Sequence, residues 1–65
     1  MNIQLNGKAS QVSSSSVAEL PAELSLPANA LLIEHNGKAL HRSEWESVTL
    51  ADGDRIEIIR IVAGG

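Results

Sequence analysis

Ile58-Ile59-Arg60-Ile61-Val62-Ala63-Gly64-Gly65 is an apolar strand that runs, without a linker, into two glycines. Glycine has no Cβ, loses much conformational freedom on folding and offers nothing to pack. Chance places glycine at two given positions in about one chain in two hundred, and the bland reading is a frayed end, where order is normally lost. The lack of a linker supports a second reading, in which the strand anchors a flexible tail, residues 62–65, and presents the α-carboxylate of Gly65 at its tip. Four extended residues from Val62 span roughly 13 Å, enough to thread a narrow channel in a partner.

Side chains alternate along a strand, so Ile56, Ile58 and Val62 point one way and Ile59 and Ile61 the other, with Arg60 interrupting the first face. A helix laid on the first face would bury Ile56 and Ile58. Ile59 and Ile61 then lie on an uncovered face beside the tail, unless a bulge resets the phase or another strand covers them. Contiguous exposed apolar surface marks interaction sites, which makes Ile59 and Ile61 a candidate partner-docking patch.

Working back from that strand, Met1, Ile3 and Leu5 alternate with Asn2 and Gln4 and lead into Asn6-Gly7, the dipeptide best suited to a type I′ hairpin turn. Leu5 then opposes Lys8, Ile3 opposes Ser10 and Met1 opposes Val12, so that Met1, Ile3, Leu5 and Val12 share a face. The serine run at residues 13–16 is a loop that ends in a capping box, Ser16-Val17-Ala18-Glu19. Val17, Leu20 and Leu24 form the apolar stripe of the helix that follows, with Pro21 predicting a short or kinked helix and Pro27 its end. A second hairpin is predicted over residues 30–41 around Asn36-Gly37, with Leu31, Ile33 and Leu40 on one face. Ser43-Glu44-Trp45-Glu46 reads as another capping box and a single helical turn that folds Trp45 over the core. Asp52-Gly53-Asp54 is the turn before the last strand.

Sixty-five residues make one domain, 1–65, with modest burial and modest stability. The chain has no cysteine, hence no thiol nucleophile and no thiolate metal site. Its net charge of −3 comes without a Lys/Arg cluster or an aromatic platform, which argues against nucleic acid as a partner and permits docking on a basic protein surface. No apolar run approaches the ~20 residues of a membrane span, and the N-terminal stretch lacks the basic and apolar regions of a signal peptide. The expectation is a cytoplasmic protein that does not engage membranes.

Catalytic and metal readings are weak throughout. His35 and His41 fall on opposite faces of the second hairpin and lack the usual His₂ spacing, so solvated histidines are favoured over metal ligands. Glu44, Glu46, Asp52 and Asp54 could supply a general acid–base pair but read better as solvated acids beside turns. The serines have no nucleophile-elbow pattern, and Gly7 and Gly37 belong to hairpin turns rather than phosphate loops. For the order hairpin, helix, second hairpin, short turn and final strand, the economical packing is an α+β fold, a mixed sheet of four to five strands with one helix across it, which is the β-grasp arrangement.

In order and spacing, Val17-Ala18-Glu19-Leu20, Asn36-Gly37 followed by Arg42-Ser43-Glu44-Trp45, and Asp52-Gly53-Asp54-Arg55-Ile56-Glu57-Ile58 ending in Val62-Ala63-Gly64-Gly65 resemble the ThiS family of ubiquitin-like β-grasp sulfur carriers in thiamine biosynthesis. The chain departs from that pattern at Pro21, within a helix commonly uninterrupted in the family, at His41, where a proline is frequent, and at Ala63, where a third glycine often stands. The resemblance implies a protein cosubstrate rather than an enzyme, with no bound cofactor. A ThiF-like enzyme would use ATP to adenylate Gly65, a persulfide sulfur donor protein would convert it to a thiocarboxylate, and thiazole synthase, ThiG, would accept the sulfur. Val62, Ala63 and Gly64 would provide tail recognition, with glycine needed where a Cβ would obstruct the partners' channels. Alternatives in the same mechanistic class are a molybdopterin synthase small subunit and a protein-tagging modifier. A non-catalytic interaction module with an inert tail is the alternative from another class, and an enzyme in its own right is the least supported.

Overall fold

The two Asn-Gly turns organise the strands. In a computed structural model, which describes residues 1–62, Asn6 and Gly7 have φ of 50° and 81°, and Asn36 and Gly37 have 51° and 86°. Positive φ at both central residues is the type I′ geometry whose twist matches that of the flanking strands. The first turn joins β1 (Asn2–Leu5) to β2 (Lys8–Gln11), with Leu5 opposite Lys8 and Ile3 opposite Ser10 as the sequence implies. The second joins β3 (Leu31–His35) to β4 (Lys38–Leu40). The strand starts after Ala30, because Ala28–Ala30 wind into a 3₁₀ turn.

β5 (Arg55–Arg60) inserts between the hairpins, parallel to β1 and antiparallel to β3, giving a five-stranded mixed sheet of order β2-β1-β5-β3-β4. Helical segments cover one face. Val17–Glu19 form a 3₁₀ turn that passes into the short helix α1 (Leu20–Glu23). Pro21 sits in the first turn of α1, where its missing N–H is not needed, so it sets where the helix begins instead of kinking one already under way. Ser25, at φ 58°, turns the chain out, and α1 closes before Pro27 rather than at it. Arg42–Ser47 form a longer 3₁₀ segment than the single turn expected. Its cap is His41, not Ser43: the Glu44 carboxylate accepts the His41 backbone N–H at 2.8 Å.

Ile3, Val12, Val17, Leu20, Leu31, Ile33, Leu40, Trp45, Leu50, Ile56 and Ile58 make the core between sheet and helices. Met1, expected on the same face, is exposed at its rim. The result is the β-grasp arrangement.

β5 is held from both sides by the turn asparagines. Asn6 Oδ1 accepts the Ile58 N–H at 2.8 Å and Asn6 Nδ2 donates to the Ile58 carbonyl at 3.3 Å, so one side chain continues the ladder where β1 has ended. Asn36 Oδ1 accepts the Arg55 N–H at 2.8 Å on the other side. Asp54 completes this second clamp, accepting from His35 Nε2 at 2.8 Å, Asn36 Nδ2 at 3.1 Å and the Ala51 N–H at 2.9 Å. Asp54 and His35 are therefore half-buried partners, not the solvated residues expected, because the fold brings the second hairpin turn onto the entry to β5.

Carboxylates also organise the serine loop. Glu23 accepts the backbone N–H groups of Ser13 and Ser14 and the Ser14 hydroxyl, and Glu19 accepts those of Ser15 and Ser16. The Ser15 amide and hydroxyl hold the Glu19 carboxyl below its ordinary range, and the Ser14 hydroxyl does the same for Glu23. For Asp54, burial opposes ionisation, but the hydrogen bonds from His35, Asn36 and Ala51 outweigh it and its carboxyl is also lowered.

Two outcomes follow. Asn6→Gly keeps the positive-φ turn but removes the clamp, so stability falls by about 1–2 kcal/mol, with the Ile58 amide losing protection selectively in hydrogen exchange. Because all three acids have folded-state pKa values below their unfolded ones, the stability they contribute is complete above the ordinary carboxylate range and is lost as pH falls from there through the lowered folded-state values. Urea midpoints should hold steady down to about pH 5 and drop below the ordinary glutamate value of 4.5, with Glu23→Gln flattening part of the drop.

Candidate functional site

The register of β3 against β5 is unbroken from Leu31 opposite Arg60 to His35 opposite Ile56, so no bulge resets the phase of the last strand. Ile56 and Ile58 are buried, while Ile59 and Ile61 are 52% and 48% exposed on the opposite, uncovered face. The reading that would have packed this pair against another strand is thereby set aside. Among the described residues, the last backbone hydrogen bond from this strand to the sheet is the Ile61 N–H to the Ala30 carbonyl at 2.7 Å. Val62 is 81% exposed. Ala63, Gly64 and Gly65, to which the sequence assigns tail recognition and the reacting carboxylate, lie outside the described residues.

The structure adds Leu32 to the patch. It is 53% exposed and is the direct cross-strand partner of Ile59. Sequence reading placed Leu31 and Ile33 in the core and passed over the residue between them. Strict alternation carried the signal, but only knowledge that β3 adjoins β5 makes Leu32 and Ile59 one surface. Further along the same face, Glu34 pairs with Glu57, and both line a depression with Gly37 and Arg55.

A second depression is lined by Ser13, Ser14, Glu19 and Glu23, whose carboxylates are already engaged by the serine loop. Among the described residues no group of three or more His, Cys, Asp or Glu gathers as a metal site, and no helix is long and apolar enough to cross a membrane. His35 and His41 are not brought together: His35 faces Asp54, whereas His41 precedes the 3₁₀ segment. What the described residues offer is a rigid central strand, an apolar patch beside its end and a chain that leaves the sheet there.

Comparison with known proteins matches residues 3–65 to the ThiS family. The whole chain is 30% identical over 66 aligned residues to a segment, 20% of the length, of a protein named thiazole synthase from Paramagnetospirillum magneticum. A protein named ycf40 from Trieres chinensis is 34% identical over 38 residues, 58% of this chain and 52% of that protein. The chain thus spans a fifth and about half of these relatives. The crystal structure of the thiamine biosynthesis protein (ThiS) from Geobacter metallireducens is 36% identical, with a TM-score of 0.83 and 100% of each chain covered. With a family match that includes the terminal glycines and a solved ThiS structure aligned over its full length, this chain belongs to the ThiS family.

Proposed function

We propose that this protein is a sulfur carrier for thiazole formation in thiamine biosynthesis, acting in the cytoplasm as a cosubstrate and not as an enzyme. The observation that carries the reading is a family match extending through Gly64 and Gly65, joined to a central strand that ends at Arg60, five residues before the end of the sequence. A carboxylate resists substitution because an oxide would have to leave. A ThiF-like enzyme transfers AMP from ATP to the Gly65 carboxylate, releasing pyrophosphate and creating a good leaving group. The terminal sulfur of a donor persulfide attacks the carbonyl and expels AMP. A thiol then cleaves the resulting acyl disulfide, leaving the thiocarboxylate on Gly65 and a disulfide between the donor sulfur and that thiol.

The thiocarboxylate is a nucleophilic sulfur on a thin tail, suited to delivery into the active site of a thiazole synthase, ThiG. The similarity of the whole chain to one segment of a protein named thiazole synthase supports that partner, since a covalently joined carrier and acceptor need not find each other by diffusion. Val62, Ala63 and Gly64 would be gripped through their backbones, and at Gly64 and Gly65 any Cβ would obstruct the partners' channels. Ile59 and Ile61 supply apolar contact at the mouth.

Incubation with adenylating enzyme, ATP and a persulfide donor should add the mass difference between sulfur and oxygen to the intact protein. No gain with a system competent on another carrier would overturn the proposal, and removal of Gly64 and Gly65 should abolish the gain. Ile61→Asp should melt within a few degrees of the parent, because exposed positions shift stability by about 0.5 kcal/mol or less, while thiocarboxylate formation at limiting carrier slows several-fold. A collapsed fold in that variant would instead assign Ile61 a core role.

A further inference from the structure

Five of the chain's eight acids serve its own backbone: Glu19, Glu23, Glu44, Asp52 and Asp54 each accept a main-chain N–H. Glu46, exposed on the 3₁₀ segment Arg42–Ser47, does not, and neither do Glu34 and Glu57. These last two are direct cross-strand partners on the uncovered face of the sheet, where like charges placed opposite one another weaken the pairing. Among the described residues neither carboxylate accepts a hydrogen bond, and the ion pair there is His35–Asp54. Arg55 lines the same depression and closes no ion pair among the described residues, which leaves two acids facing one base there. Two residues along β5 from Glu57, about 7 Å, stands Ile59 beside Leu32, followed by Ile61 just before the tail.

We infer that the Glu34–Glu57 pair and the adjoining Leu32–Ile59 contact form one docking surface, whose occupant is a protein that takes the tail and sets an arginine over the two carboxylates about 7 Å from an apolar contact. This rests on the sulfur-carrier reading, in that the adenylating enzyme is the first protein that must hold the tail. Charge complementarity selects the occupant. Apolar contact at Leu32 and Ile59 expels water from the neighbouring carboxylates, which strengthens their mutual repulsion unless a cation accompanies the contact. A guanidinium suits the place better than an ammonium, because its planar fork can address two carboxylates and it gives up water more readily. The pair thus admits basic partners and rejects neutral or acidic ones.

Steady-state adenylation with varied carrier concentration tests the surface. Glu34→Lys and Glu57→Lys should each raise the KM for the carrier about ten-fold with kcat little changed, and the double glutamine variant should lose most of the dependence of KM on ionic strength. The glutamine variants should show smaller increases in the same order. Lysine variants with a KM within two-fold of the parent overturn the inference, as does self-association of the free parent protein through this face in gel filtration. A partner-free measurement judges the pair separately: Glu57→Gln should raise the melting temperature by about 1–5 °C. An unchanged or lowered melting temperature means that the carboxylates are already compensated and overturns the inference. If the parent protein is not adenylated at all, the sulfur-carrier reading falls, while the melting result still decides whether the pair is unmet.

Discussion

Two asparagine side chains hold the last strand in the middle of the sheet. A central strand needs partners along both edges, yet β1 ends at Leu5 and β3 at His35, each cut short by its turn. The part-buried Ile58 N–H and carbonyl would be left without ladder partners, at a cost of about 1–3 kcal/mol each, and the exposed Arg55 N–H would be left to water. A carboxamide carries the same donor and acceptor as a peptide unit. Asn6 and Asn36 therefore serve twice, by adopting the left-handed backbone of the turn and by extending the sheet past the point where the neighbouring strand has left it.

Function follows from that placement. Because β5 is paired on both sides and buries Ile56 and Ile58, the base of the tail has a fixed position, while Val62 beyond it is 81% exposed. The helical segments occupy one face and complete the core. The other face stays open, and the exposed Leu32, Ile59 and Ile61 lie at the end from which the tail departs. A partner that draws in the tail meets this surface in the same approach.

Seven of the eight acids, all but Glu46, divide into two groups with different tasks. In so small a domain the apolar core is limited, and carboxylates at Glu19, Glu23, Glu44, Asp52 and Asp54 supply the hydrogen bonds that fasten loops without regular secondary structure. Glu34 and Glu57 fasten nothing, and their charge is available to a partner. Composition alone, a net charge of −3, does not distinguish these groups.

Local chemistry made much of this legible in the chain itself. Asn-Gly dictates positive φ and hence both hairpins with their registers. Alternation dictates which isoleucines of the last strand share a face, and Gly64-Gly65 after an apolar strand points to a presented carboxylate. Long-range geometry decided the rest. Ser16 and Glu19 are close in sequence and their cap was readable, but Glu23 reaching back to Ser13 and Ser14, and Asp54 meeting His35, depend on elements that approach only when the sheet is assembled. The second cap moved from Ser43 to His41 because the path of the chain leaving β4, not residue preference, placed the first turn. Leu32 beside Ile59 and Glu34 beside Glu57 likewise required β5 to lie next to β3, and strand adjacency is set by the burial of whole faces, which no local spacing records.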